Sequence, residues 1–174
     1  MYLHGKVYVS KYNNEEKCKK IWKLFPEIPT VENLKSVTLS FEVGYWRKAN
    51  QIHQWFVENI QDGEDDCKEY YVSKEDLQKL LDLCKQIKEK IKFEEGDIHI
   101  STSYKEGKEV KEYKKGQVIV NAEEIAELLP SQSGFFFGST DYDEYYMNDI
   151  DNTIEIIENC LKVEDIDYYY QSSW

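Results

Sequence analysis

The chain has 174 residues, of which 41% are hydrophobic and 32% are charged, a composition typical of a globular rather than a disordered protein. Its 34 acidic and 22 basic residues give a formal net charge of −12. The first residues lack the basic start and apolar run of a signal peptide, and no stretch contains the roughly 18 apolar residues of a membrane span. We therefore expect a cytoplasmic protein with no membrane partner.

The negative charge is concentrated in the last third of the chain. Residues 122–174 contain thirteen acids and a single base, Lys162, so they hold the whole excess. A field of this sign repels the phosphates of nucleic acids and favours a basic protein partner. The sequence thus argues against direct nucleic-acid binding.

The cysteines are scattered without a CxxC pair, which excludes the usual zinc and redox motifs. We expect four free thiols and neither a metal site nor a cofactor: Cys18, Cys67, Cys84 and Cys160.

In the first half of the chain, strand and helix patterns alternate. Strict alternation of apolar and polar residues predicts strands at 7–9 and 37–43. Helical spacing of apolar residues predicts helices at 15–25, 45–60 and 73–91.

In the second half, strands are predicted at 97–104 and 110–120, joined by a turn at Glu106-Gly107. A capping sequence at Asn121 begins a short helix, and further elements are expected over 134–138 (strand-like), 143–161 (helix) and 166–171 (strand). Without a regular βαβ rhythm, the order predicts one α+β domain over 1–174, with a mixed or antiparallel sheet packed against three to four helices.

Two apolar helix stripes are expected to share one core. The first is Leu77, Leu80, Leu81, Cys84 and Ile87, and the second is Ile154, Ile157 and Leu161.

The segment 45–55 carries aromatic, cationic, amide and imidazole side chains in close succession. His53 lies within the apolar arc of the helix, a position typical of a packed core residue. Arg47 and Asn50 flank that arc and could hold a carboxylate or a phosphate. Trp55 lies far from the arc, so it must pack under another element or contact a partner.

The segment 131–144 combines glycines and hydroxyls at a helix entry, where unpaired N–H groups can cradle an anion. It lacks a Walker A lysine, a GxGxxG pattern and an EF-hand spacing. We expect this segment and 45–55 to form a pocket for a small ligand, such as a nucleotide signal, and the acidic segment 62–67 to converge with them. The candidate pocket residues are Trp46, Arg47, Asn50, His53, Ser133, Gly134, Phe136 and Ser139.

A third segment places consecutive acids immediately before Cys67. Nearby anions raise the pKa of a thiol, so a nucleophilic Cys67 would need a cationic neighbour such as His53. A small hydrolase-like enzyme using this pair is the weakest of three hypotheses, and no catalytic residue is assigned.

The last helix is expected to expose acids that avoid its apolar stripe. These candidate partner-binding residues are Asp149, Asp151, Glu155 and Glu158. Spaced carboxylates can imitate the phosphates of a nucleic acid to a basic protein.

Three segments together resemble a widespread family of small proteins from phage and prophage genomes: 45–57 (YWRKANQIHQWFV), 62–67 (DGEDDC) and 129–146 (LPSQSGFFFGSTDYDEYY). The resemblance extends over about residues 45–161. It implies a phage-related origin in a bacterial host cell, but no particular activity, cofactor or catalytic residue.

The leading hypothesis from the sequence is therefore a phage-type, non-enzymatic binding protein. Its acidic C-terminal surface would counteract a host defence protein or nucleic-acid-handling protein. The alternatives are the small-ligand binder with a pocket from 46–53 and 133–140, and the His53/Cys67 enzyme.

Overall fold

The computed structural model describes residues 1–25, 35–105, 107–134 and 138–173. Helices and strands are mixed along these residues, which confirms the predicted α+β class. In chain order the elements are β1 (Tyr2–Ser10), α1 (Glu15–Trp22), β2 (Ser36–Tyr45), α2 (Asn50–Ile60), β3 (Tyr70–Val72), α3 (Lys74–Lys90), β4 (Phe93–Lys105), β5 (Lys108–Ile119), α4 (Ala122–Leu128), α5 (Glu144–Leu161) and β6 (Asp167–Gln171).

Four strands form an antiparallel sheet in the order β2-β1-β6-β3. Because side chains alternate across a strand, each strand gives one set of residues to the core and another to solvent. Leu3, Tyr168 and Tyr170 are buried on one face, while Tyr8 and Tyr71 are exposed on the other. The tyrosine-rich end of the chain is therefore half core and half surface.

The predicted core of α3 and α5 is confirmed. Five residues of α3 and Ile157 of α5 belong to one buried cluster, and Ile154 and Leu161 pack against it partly buried. Ser73 caps α3 as predicted, since its Oγ accepts a hydrogen bond from the N–H of Asp76 at 3.0 Å.

Strands β4 and β5 form a separate two-stranded hairpin with Gly107 in its turn at a φ of 76°. Ile98 and Ile119 are buried at its base, whereas Tyr104 is exposed. The N–H of Ile119 donates to the carbonyl of Tyr142 at 3.0 Å. This bond holds the base of the hairpin beside the entry of α5.

The helix predicted over 45–60 begins five residues later than expected. Tyr45 still pairs with Tyr2 in the sheet, and Lys48 has a φ of 65°, in the left-handed region that interrupts a helix. Trp46 and Arg47 consequently lie in the turn before α2. None of the helices in the described part of the chain is both long and hydrophobic enough to cross a membrane.

Two other local predictions have different outcomes. Asn121 precedes α4, but its side chain makes no cap bond and instead accepts from the N–H of Lys92 and donates to the carbonyl of Lys90. The Asn121 amide is therefore bonded to the chain at the end of α3 and not to the first N–H groups of α4. Of the strand-like run at 134–138, residues 135–137 lie outside the described residues.

Candidate ligand-binding cleft

A cleft of about 770 Å³ opens between the start of α2, the loop at 138–143, the start of α5 and the hairpin. This volume lies within the range of roughly 300–1,000 Å³ typical of small-molecule sites. Its walls are lined by Arg47, Lys48, Gln51, His99, Ile100, Thr102, Gly138, Ser139, Asp141, Asp143, Tyr145, Tyr146, Asn148 and Asp149.

One wall of the cleft is cationic. Arg47 and Lys48 immediately precede α2, and both side chains are exposed. Ala49 occupies the N-cap of α2 and has no side-chain acceptor for the first N–H groups of the helix. The positive end of the helix dipole therefore reinforces the two cations, an arrangement suited to an anionic group.

Asn50 fastens this wall to the loop that follows α4. Its Nδ2 donates to the carbonyl of Ser139 at 2.9 Å, and its Oδ1 accepts from the N–H of Gln132 at 2.8 Å. Gly138 lies so close to the turn before α2 that a Cβ there would come 3.0 Å from the carbonyl oxygen of Lys48. The sequence segments 45–55 and 131–144 therefore meet, and the Asn50 side chain links them.

The opposite wall contains the carboxylate of Asp143, which is the N-cap of α5. Its Oδ1 accepts from the N–H groups of Tyr145 at 2.8 Å and Tyr146 at 3.3 Å. Only 2% of the residue is exposed, and Oδ2 is buried with no hydrogen-bond partner among the described residues. Burial raises the pKa of Asp143 above its ordinary value.

Asp149 approaches the cleft from the next turns of α5. Its Oδ2 accepts from Nε2 of Gln51 at 3.1 Å. Burial raises the pKa of Asp149 to about 6, although the Gln51 hydrogen bond opposes this shift. The sequence predicts Asp149 on an exposed acidic surface. In the structure its side chain is directed towards α2, where Gln51 donates a hydrogen bond to it.

A second hollow of about 400 Å³ adjoins the cleft. The two share His99, Asp141 and Asp143, so these residues form the partition between them. Despite the acids, no group of three His, Cys, Asp or Glu side chains in the described ranges is arranged to hold a metal ion. The carboxylates of Asp141 and Asp143 offer hydrogen-bond acceptors on this partition.

His53 lies in the core and does not line the cleft. Its Nδ1 is 2.7 Å from the Tyr170 hydroxyl, and its Nε2 is 3.1 Å from Oδ2 of Asp65. Burial lowers the pKa of His53, while Asp65 acts in the opposite direction. Phe56 stacks on Tyr170 at 3.9 Å. This network joins the acidic segment before Cys67 to α2 through the contact between His53 and Asp65.

The other predicted pocket residues are divided between core and surface. Trp46 is buried, and its Nε1 donates to Oγ1 of Thr153 at 2.9 Å, so it anchors α5 to the turn before α2. Ser133 and Gly134 are exposed and are not among the residues that line the cleft, while Phe136 lies outside the described residues. Trp55 is buried beside Phe56, which fits the first of its two predicted settings.

The acids of α5 are less free than the sequence suggested. Asp151 pairs with Lys88 and Glu158 with Lys85, both on α3. Lys85 lowers the pKa of Glu158. Glu155 is exposed. A helical projection of α5 alone cannot reveal these lysines, since they come from a neighbouring helix.

Several cleft residues were not predicted as ligand contacts. The position of Asp143 before a helix indicated a capping role, which uses one carboxylate oxygen and gives no information about the other. His99 and Thr102 reach the cleft only because the hairpin folds beside α5. Lys48 and Gln51 adjoin predicted site residues, and their place in the same segment was the available signal.

Comparisons with protein-family models, with curated proteins and with solved structures find no significant match to this chain. The resemblance to phage proteins stays a prediction, and the functional argument depends on the geometry of the cleft.

Proposed function

We propose that the protein binds a small phosphorylated ligand, a nucleotide, in the cleft beside α2. The observation that carries this proposal is that Arg47, Lys48 and Asp143 line one cleft of about 770 Å³, and that Oδ2 of Asp143 is buried with no hydrogen-bond partner among the described residues. A nucleotide supplies groups of both kinds, since it has phosphate oxygens at one end and amino and hydroxyl donors at the other.

The phosphate would bind at the start of α2. Arg47 can donate two parallel hydrogen bonds to a phosphate, and Lys48 adds a second positive charge. The N–H groups of the first helical turn point to the same end, as in other phosphate sites at helix N-termini.

The organic part of the ligand would lie against the start of α5. Tyr145 is 45% exposed and lines the cleft, so its ring offers a flat surface for a base. Asp141 and Asp149 add acceptors for ribose hydroxyl and base amino groups. Most residues that line the cleft are polar or charged, and Ile100, Tyr145 and Tyr146 add larger apolar surfaces, a combination suited to a polar ligand with a flat ring.

The acidic-surface hypothesis remains a second candidate, supported by the net charge of −12 and the exposure of Glu155. We rank it below the cleft because Asp151 and Glu158 already pair with lysines of α3. If the chain has the phage origin that its sequence resembles, a nucleotide-binding cleft would sequester a signal of host defence in the cytoplasm.

Calorimetric titration with AMP, GMP, CMP, UMP and inorganic phosphate tests the proposal. We expect saturable binding of at least one nucleotide and a loss of about ten-fold or more in affinity for the double variant Arg47→Met/Lys48→Met, because both charges contact phosphate. The matched control removes two exposed lysines that do not line the cleft, Lys20→Met/Lys23→Met, and should bind as the wild type does. Absence of binding by all four nucleotides, or equal losses in the two double variants, would contradict the proposal.

A further inference from the structure

Oδ2 of Asp143 has the features of a ligand-recognition group that its capping role does not require. Oδ1 alone accepts both N–H groups at the start of α5. Oδ2 is buried without a partner among the described residues, and Asp143 lines both the larger cleft and the adjoining hollow. A buried acceptor that lacks a donor is unfavourable, so its presence beside two cavities indicates that a ligand supplies the donor.

The surroundings of Asp143 favour donors over acceptors. Asp141 and Asp149 line the same cleft, so the local potential is negative. An ionised carboxylate can only accept hydrogen bonds, and it therefore attracts an N–H group and repels a carbonyl oxygen. The cations Arg47 and Lys48 lie on the α2 side, Lys111 lines the adjoining hollow, and Lys114 is held by Glu144.

We propose that Oδ2 of Asp143 reads the nucleotide base by accepting a hydrogen bond from an exocyclic amino group, so that the cleft prefers adenine to hypoxanthine and cytosine to uracil. This inference depends on the proposed nucleotide-binding function. Adenine and hypoxanthine differ at position 6, and cytosine and uracil at position 4, by an amino group in place of a carbonyl oxygen. A site with a buried acceptor discriminates strongly against a partner that lacks the donor.

The variant Asp143→Asn separates recognition from capping. Asn and Asp are equally good N-cap residues, so Oδ1 of Asn can still accept from Tyr145 and Tyr146. The other oxygen becomes an amide NH₂, which donates where the carboxylate accepted. The hydrogen-bonding sense of the recognition atom is therefore inverted while the helix keeps its cap.

Titration of the wild type and Asp143→Asn with AMP, IMP, CMP and UMP tests the inference. The wild type should bind AMP and CMP about ten-fold or more tightly than IMP and UMP, and Asp143→Asn should reverse this order. Equal affinities of the wild type for amino and keto bases, or a uniform loss for all four in the variant, would overturn the inference and leave nucleotide binding intact. Absence of any nucleotide binding by the wild type would overturn the proposed function as well.

A second variant covers the case in which Asp143→Asn folds poorly. Ser is also a favourable N-cap, so Asp143→Ser retains one acceptor and removes the recognition oxygen without adding a donor. It should abolish the preference for amino bases without reversing it. Retention of the full wild-type preference in this variant would contradict the inference.

Discussion

Asn50 and Ser139 lie 89 positions apart in the sequence, yet Nδ2 of Asn50 donates to the Ser139 carbonyl at 2.9 Å. The same amide accepts from the N–H of Gln132 through Oδ1. The two bonds require a donor and an acceptor on separate atoms of one short side chain, and the carboxamide of Asn supplies this pair. This buried amide links the start of α2 to the loop that follows α4.

The first prediction concerns the Asn50 amide and its two hydrogen bonds to the loop after α4. Asn50→Asp replaces the donor to Ser139 with an oxygen that repels the carbonyl, inside a site that is 2% exposed. We expect a loss of ~2–3 kcal/mol in the free energy of unfolding, measured with urea. The control Asn159→Asp changes an exposed residue of α5 and should stay within about 0.5 kcal/mol of the wild type. A similarly small effect of Asn50→Asp would show that this amide does not hold α2 and the loop together.

A second prediction uses the raised pKa of Asp149. Between about pH 4 and pH 6 the folded protein holds a proton that the unfolded chain has released, since the pKa of the folded carboxyl is about 6. The contribution of Asp149 to stability is therefore most favourable below this window and is lost as the pH rises through it.

Asp149→Asn removes this titration and can keep the acceptor for Gln51. The variant should be more stable than the wild type by ~2 kcal/mol at pH 7, and the difference should shrink towards zero near pH 4. Urea unfolding across this pH range provides the measurement. A difference that is constant with pH would show that Asp149 titrates normally.

A third prediction concerns the buried network around His53. Tyr170→Phe removes the hydroxyl that lies 2.7 Å from Nδ1 but preserves the ring that stacks on Phe56. The expected destabilisation is ~1 kcal/mol, the usual net contribution of one buried hydrogen bond. Tyr12→Phe, at a well-exposed position, is the matched control and should have no measurable effect. If both variants melt at the wild-type temperature, the hydroxyl contributes nothing to the core.

The fourth prediction separates intramolecular ion pairs from a free acidic surface. Asp151→Lys/Glu158→Lys places two new cations opposite Lys85 and Lys88. We expect a loss of stability at low salt, because two exposed pairs are replaced by like-charge repulsion, and a smaller loss in 1 M salt. Glu155→Lys, on the exposed side of α5, should change the stability by less than about 0.5 kcal/mol. Equal effects of the double and single changes would support the hypothesis that the acids of α5 form an unpaired surface.

The parts of the fold that follow a local period were predictable from the sequence. The stripe of α3, the long helix α5 and the alternation in β2 each depend on residues within one element. The pairing of Asp149 with Gln51 and of Asp151 with Lys88 depends on packing between elements, and no local pattern contains it. His53 illustrates both cases, because its position in the apolar arc predicted burial but not its contact with Tyr170.

The cleft was predicted only in part, because its walls come from elements that are distant in the sequence. Arg47 and Asn50 were identified from their chemistry, and Ser139 from its place at a helix entry. The contribution of His99 requires the hairpin to lie beside α5, a tertiary relationship held by the bond from Ile119 to Tyr142.

The most direct test of the account is amide chemical-shift mapping of the ¹⁵N-labelled protein during titration with AMP. Binding in the cleft predicts saturable shifts that cluster at 47–51 and 138–149, with the β4–β5 strands near His99 as the third affected region. Shifts confined to the exposed tyrosines of the sheet or to the Glu155 side of α5, or no saturable shifts with AMP, would contradict it.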